Sequence, residues 1–330
     1  MEQPNNSAET AIDVHRIEIG VDWPPGHVAV YLVDGPEPVL FDAGMPGDEA
    51  GQELRRGLDR IGCPPSDIEH IVLTHPHIDH IGQIPALIEN NSPTIYAPSG
   101  ARERLSRESE SLERAVRANA IEAGLTGETL EDAVAKSVES LERNRTLLAP
   151  EEVDHWIGHD QQFTAGELTL HAIHTPGHQA DHLCYDTLLN GEEILFSGDI
   201  LLEPFRTVMI HTGLDTGVEE GVPAFFLALD RLSELGSRQI FPGHGRPHSD
   251  LSGKVERSRK SIERMVERTR ETVVENGTTA LELAERRAGE RSFHYVLPEV
   301  VSALQYLQSR GEIDSTLEDG IRYYHSIDVP

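Results

Sequence analysis

From Thr74 to His80 the chain reads T-H-P-H-I-D-H, with three histidines and an aspartate inside six residues. Imidazole nitrogens and carboxylate oxygens are good ligands for zinc and similar divalent cations. The cluster follows the apolar run 71–73 and precedes Gly82, which places it in a loop just past a strand end. His75 and His77, two residues apart, can project together from an extended segment. Asp79 and His80 continue around the turn and can reach a second ion. Three later segments supply matching parts: His174 to His178 after 168–173, Ser197-Gly198-Asp199 after 194–196, and Pro242-Gly243-His244 after 239–241. Each is a strand, a glycine-assisted turn and a ligand-type residue, and glycine lets a loop pass close to a shared centre. A lone His-x-His reads as a surface pair. Four such segments read as a metal centre.

The elements that must position these residues follow from periodicity. Residues 28–32 and 39–41 are expected as paired strands around Asp34-Gly35-Pro36. Residues 48–61 form an amphipathic helix with Leu54, Leu58 and Ile61 at helical spacing. A strand at 71–73, a helix from 84 to 88 and a strand at 94–96 continue a β-α-β alternation, which implies a layered α/β core. Residues 102–148 are rich in Glu, Arg, Ala and Leu, with helical periodicity and a break at 124–129. They read as a helical insertion, either packed on the outside or lying over the site as a lid. Strands are expected at 155–157, 168–173, 183–185, 194–197 and 239–241, and a helix at 223–235. Beyond residue 250 come helices at 254–275, 278–287 (capped by Thr278 or Thr279) and 298–310, then two short strands. Three helices and a hairpin describe a winged helix. The reading is therefore of a catalytic domain over 1–250 and a small domain over 251–330.

The ordered set resembles the five motifs of the metallo-β-lactamase superfamily, across about residues 27 to 247. Phe41-Asp42-Ala43-Gly44 resembles the first, His75 to His80 the second, Pro176-Gly177-His178 the third, Gly198-Asp199 the fourth and Gly243-His244 the fifth. The resemblance implies a four-layer αββα sandwich. It implies that His75, His77 and His178 hold one metal, that Asp79, His80 and His244 hold a second, and that Asp199 bridges them. Asp79 and Asp199 are the carboxylates it marks as catalytic. Asp42 and His182 are expected behind the ligands, orienting them. His27, His171, His174 and His211 are candidates by location alone and read more simply as core or surface residues. Two divalent ions, zinc first, with iron or manganese sharing the same ligand preferences, would generate a bridging hydroxide at neutral pH. That hydroxide would attack a small ester, thioester or lactone. The alternatives are a single-stranded-RNA endonuclease and, outside hydrolysis, an iron-dependent oxidoreductase. No G-x-S-x-G elbow, P-loop or G-x-G-x-x-G competes with this reading.

The formal charge is −29, with only three lysines against 25 arginines. Spread acidity of this kind keeps a protein soluble, and suits high salt. Residues 251–330 hold 12 basic and 14 acidic residues, a net of −2, which leaves −27 for the rest. A cationic helix from Lys254 to Arg270 could touch phosphates, or pair with carboxylates nearby. Residues 298–310 carry Glu299 and only Arg310 as charges, a poor recognition helix for duplex DNA. Two cysteines allow no disulfide framework. The polar start, Met1 to Thr10, lacks a secretory signal, and no apolar run is long enough for a membrane span. The expectation is a cytoplasmic protein acting on a small molecule, away from membranes, with RNA a less favoured partner and a homo-oligomer allowed.

Overall fold

The side-chain alternation of strand β2 (His27–Val33) sets the layers of the molecule. Val28, Val30 and Leu32 belong to one buried cluster, and Ala29, Tyr31 and Val33 to another. Successive side chains of a strand point to opposite faces, so a strand apolar on both faces, as this one is from 28 to 33, must be covered on both. The computed structural model describes residues 12–209, 221–289 and 296–327. In it, β1 (Val14–Gly20), β2, β3 (Val39–Phe41), β4 (His70–Val72), β5 (Thr94–Pro98) and β6 (His155–Ile157) lie side by side in chain order. The first two pairings are antiparallel and the other three parallel. A second sheet orders β7 (Gln162–Ala165), β8 (Leu168–His174), β9 (Leu183–Leu189), β10 (Glu192–Gly198) and β11 (Gln239–Pro242). Only its β10–β11 pairing is parallel.

Aromatic side chains fill the space between the sheets. Phe41 stacks on Phe196 with ring centroids 3.7 Å apart, and Tyr31 meets Phe241 edge-on at 5.2 Å. The outer face of the first sheet packs Leu40 and Ile71 against Leu54 and Leu58 of α1 (Asp48–Ile61), Ile81 of α2 (Ile78–Ile81) and Leu87 of α3 (Ile84–Asn90). Ala101 and Leu105 of α4 (Ser99–Ser106) join the same cluster. The outer face of the second sheet packs Ile173, Leu195 and Ile240 against Phe225 and Leu229 of α7 (Gly221–Ser233). Helix, sheet, sheet, helix is the expected αββα order.

The helical insertion begins with α4 and continues as α5 (Ser109–Glu122) and α6 (Gly127–Leu147). The chain breaks at 107–108 as well as near Gly124. Residues of α5 and α6 share one apolar cluster with α7, α8 (Leu251–Thr272), α9 (Ala280–Ala288) and α10 (Leu297–Ser309). The Leu281 N–H donates to the Ala123 carbonyl at 2.9 Å, and Arg322 pairs with Glu122 at 2.6 Å. Thr279 caps α9, with Glu282 completing a capping box. A hairpin of β12 (Ile313–Glu318) and β13 (Ile321–Ser326) follows. The C-terminal elements thus come in the expected order, and their apolar side chains merge with the rest of the core.

Two strands lie outside the expected set. β1 carries His15, Arg16 and Glu18 around its buried Ile17 and Ile19, and β7 is four residues with one buried. Both are edge strands, where polar side chains are tolerated and the apolar signal fades. Among the described residues, no helix is long and apolar enough to cross a membrane.

Truncating the inter-sheet stack is expected to be costly. Phe41→Ala should destabilise the protein by about 3–5 kcal/mol in chemical unfolding, since a buried aromatic leaves a cavity between two rigid sheets. Cys63 and Cys184 are free and buried, and burial pushes their thiols up to about 11 and about 12. Both should resist alkylation in the folded protein at neutral pH and react once it is unfolded; rapid labelling of native protein would contradict this packing.

Candidate metal centre

Four strand ends converge on one point. β4 leads into Thr74 to His80, β8 into Thr175 to His178, β10 into Asp199 and β11 into His244. His75 Nε2 lies 2.9 Å from His77 Nδ1, and His178 Nε2 lies 3.0 Å from the same atom. Three ring nitrogens facing one another leave lone pairs aimed at a common centre. Asp199 Oδ2 stands 3.2 Å from His178 Nε2 and 3.4 Å from His244 Nε2, and its Oδ1 stands 3.4 Å from His80 Nε2. His244 Nε2 also lies 3.3 Å from Asp79 Oδ2. Two sets emerge: His75, His77, His178 and Asp199, and Asp79, His80 and His244, each with ligand-type atoms within 4.8 Å of one another. Asp199 faces both.

These residues fit divalent cations on their own chemistry. His80 Nε2 and Asp199 Oδ1 are buried and lack a hydrogen-bond partner. Buried polar atoms are rarely left so, and a cation between the sets would satisfy both. Burial, the largest influence, holds His75, His77 and His178 below the usual imidazole range. These rings therefore present lone pairs at neutral pH. Burial also opposes charge on His80, but Asp42, Asp199 and Asp79 together outweigh it and hold the ring well above its usual range. His244 is likewise raised to about 10 against burial, chiefly by Asp199 and Asp79.

The ligands are held from behind. Asp42 adopts a left-handed backbone, φ 59°, uncommon for a residue with a side chain. Its Oδ1 accepts the Thr74 N–H at 2.8 Å, and its Oδ2 accepts the Thr74 hydroxyl at 2.9 Å and the His80 Nδ1–H at 2.8 Å. His182 accepts the Asp199 N–H at Nε2, 3.1 Å, and meets the Thr175 hydroxyl at Nδ1, 2.7 Å. His178 Nδ1 donates to the Val208 carbonyl at 2.7 Å, and His244 Nδ1 to the His27 carbonyl at 2.6 Å. Two glycines admit the approach. A Cβ on Gly243 would sit 2.7 Å from Asp199 Oδ1 and 2.8 Å from His80 Cε1; one on Gly198, at φ +47°, would sit 2.5 Å from His182 Nε2.

All nine sequence-derived site residues thus meet at one place. Of the residues singled out by location alone, His27 serves through its backbone carbonyl, while His174 bonds the Ala180 carbonyl and stacks on His159. His171 is exposed on β8, and His211 lies outside the described residues. Sequence reading missed Thr74, Thr175, Gln179 and Asn144. The Gln179 amide lies 3.2 Å from His77 Nε2, and Asn144 on α6 donates to the Pro76 carbonyl at 3.0 Å. Thr74 and Gln179 adjoin motif histidines, a usable signal; Asn144 lies 68 residues away from its partner and gives none.

The profile of the metallo-beta-lactamase superfamily matches residues 23–244. The chain is 25% identical to the probable metallo-hydrolase YqjP of Bacillus subtilis over 332 residues, covering 96% of this chain and 99% of that protein. It is 27% identical to the lactamase-like protein nscB of Trichophyton verrucosum, covering 72% of this chain and 66% of that one. Among solved structures, a metallo-beta-lactamase family protein from Thermus thermophilus superposes with a TM-score of 0.78 at 23% identity, over 95% of this chain and 98% of that one. A beta-lactamase domain protein from Burkholderia ambifaria gives 0.76 at 18%, over 95% and 92%. These structures share the fold through the C-terminal elements as well.

Two outcomes test the centre. In metal-free protein, histidine-selective NMR should find His75 and His77 neutral and His80 and His244 charged throughout about pH 6 to 8, instead of titrating near about 6.5 as free imidazole does. Resonances of all these rings moving together through that range would show that the cluster does not form without metal. Asp42→Ala should weaken metal uptake by about 10–100-fold, as loss of a ligand-orienting carboxylate does, read by competition with a chelating dye.

Proposed function

The chain belongs to the metallo-beta-lactamase superfamily, and from that premise we propose that it is a two-metal hydrolase of a small ester, thioester or lactone. The observation that carries this reading is the pair of ligand sets facing one carboxylate, Asp199. His75, His77 and His178 would hold one divalent ion, Asp79, His80 and His244 the other, with Asp199 between them. Such ions supply Lewis acidity and a water acidified toward neutrality. The protein's own part is positional. Asp42 fixes the ring of His80 and the backbone of Thr74. Val208 and His27, through their carbonyls, fix the rings of His178 and His244 with Nε2 turned inward. Zinc is the first candidate for a nitrogen-rich set with carboxylates.

The reading needs no protein nucleophile. Cys184 is fully buried against Thr175 and Ser197, its thiol pushed up to about 12, so it stays protonated at neutral pH. The charge distribution weighs against an RNA-gripping surface. On α8, Arg257 pairs with Asp250 and Glu203, Arg259 with Asp230, Lys260 with Glu256 and Arg270 with Glu267. Lys254 is buried beside Glu203. Five of the seven cations between Lys254 and Arg270 thus face the protein's own carboxylates, which lowers the net positive charge this helix offers to phosphates.

The test is metal content of chelator-free protein, followed by a panel of a thioester, a lactone, a bis-phosphodiester and a short single-stranded RNA at low and high salt. About two zinc ions per chain are expected, with thioester or lactone turnover that falls by more than about a hundredfold in His77→Ala, beyond what loss of an orienting contact costs. RNA cleavage lost in that variant would replace the small-substrate reading with the nuclease. One iron per chain without hydrolysis would overturn both.

A further inference from the structure

Between Asp199 and Met209 the chain forms neither helix nor extended strand, yet it carries two of the centre's orienting groups. Asp199 opens it, and the Val208 carbonyl that receives the His178 Nδ1–H lies near its end. Within it the Thr207 hydroxyl donates to the Asp199 carbonyl at 2.8 Å. An irregular segment cannot fix such groups through its own hydrogen-bond ladder, so its shape must be imposed by what it packs against.

The C-terminal helices supply part of this, beside the Arg246 N–H that donates to the Glu203 carbonyl at 2.8 Å nearer its start. Glu299, on α10, is 2% exposed, and a carboxylate is almost never buried so deeply unless it is paired. Its Oε1 accepts from Arg206 Nη1 at 2.7 Å and from the Met209 N–H at 3.3 Å; its Oε2 accepts from Arg206 Nη2 at 3.1 Å and from Arg287 at 3.0 Å. Arg206 and Met209 bracket Thr207 and Val208. One buried carboxylate therefore grips the segment on both sides of the two residues that touch Asp199 and His178. Lys254 of α8 adds a second hold, donating to the Phe205 carbonyl at 2.8 Å.

We propose that Glu299 is a positioning residue for the metal centre, fixing the segment 206–209 so that Val208 holds the His178 ring and Thr207 holds Asp199. The proposal rests on the two-metal reading of the site. It differs from simple attachment of α10, which would leave metal affinity unchanged when the clamp is weakened. Bidentate pairing to Arg206 fixes both position and orientation, and loss of such an outer contact commonly costs about 10–100-fold in metal affinity.

The experiment compares wild type, Glu299→Gln, Arg206→Ala and Arg322→Ala. Glutamine keeps the size and one acceptor oxygen of Glu299 but removes the charge. Arg206 is half-exposed, so its loss leaves α10 held by Arg287. Arg322 joins β13 to α5 and serves as a control for C-terminal destabilisation. Zinc dissociation constants are measured by dye competition, and hydrogen exchange of the metal-free proteins is followed over residues 200–209. Glu299→Gln should weaken zinc binding about tenfold, with Arg206→Ala in the same direction and Arg322→Ala unchanged. Exchange in 200–209 should quicken in the first two variants only. Equal zinc affinity in wild type, Glu299→Gln and Arg206→Ala, within about twofold, would overturn the proposal. Failure of wild type itself to take up two ions would instead defeat the two-metal reading, and unaltered exchange over 200–209 would then also remove the clamp.

Discussion

The structure turns on the carboxylate of Asp42. It stands at the end of β3 in a left-handed backbone conformation and is 3% exposed. That position carries a conformational cost of about 1–3 kcal/mol. What offsets the cost is a set of hydrogen bonds to a neighbouring strand end: the Thr74 N–H and hydroxyl, and the His80 ring. Through Thr74 the carboxylate fixes where the chain leaves β4. Through His80 it fixes where the same loop ends. His75, His77 and Asp79 lie between these two points, so one side chain sets the frame for four ligand-type residues.

Around that frame the site is electrically divided. Three imidazoles, buried and close together, are kept neutral. Two others, surrounded by Asp42, Asp79 and Asp199, are kept charged without metal. Coulomb energy between groups a few ångströms apart in a poorly solvated site is several kcal/mol even when moderately screened. A cation would enter the first set without displacing protons, whereas in the second it would take the place of the imidazolium protons. The two sets are alike in residue type and unlike in how they are prepared.

The ligands could be read from sequence because each follows a strand end and a glycine, or sits in a dense local pattern within six residues. The same holds for α1, whose spacing of Leu54 and Leu58 matches its buried face. Contacts that join distant parts of the chain left no local trace. Asn144 reaches Pro76 from α6, and Glu299 reaches Arg206 from α10, 93 residues on. Each is one polar residue in a helix whose periodicity is set by its apolar face, so the pattern that reveals the helix conceals the contact. The edge strands β1 and β7 escaped for a related reason: with one side unpaired they carry charged or polar residues where a central strand would be apolar.

The uneven charge along the chain has a structural account in these contacts. The nearly neutral C-terminal segment supplies the cations Arg257 and Arg259 to Glu203 and Asp230, carboxylates of the acidic part. It also supplies the buried anion Glu299 to Arg206. Exposed pairs of the first kind contribute little each. The buried clamp is different: breaking it strands a charge away from water. The ligand-bearing segments leave the ends of two sheets and are tied by scattered backbone bonds, such as the Leu183 N–H to the Thr74 carbonyl at 3.0 Å and the Gly243 N–H to the Gly198 carbonyl at 2.7 Å, with Asp79 and His80 on the short helix α2. Helices from outside the sandwich add further holds, α6 on the loop of His75 and His77, α8 and α10 on the segment after Asp199. Docking α5 against the C-terminal hairpin through Arg322 and Glu122 joins the insertion to the C-terminal elements, but that contact grips none of the ligand-bearing segments, so its loss leaves the hold of Glu299 on residues 206–209 in place.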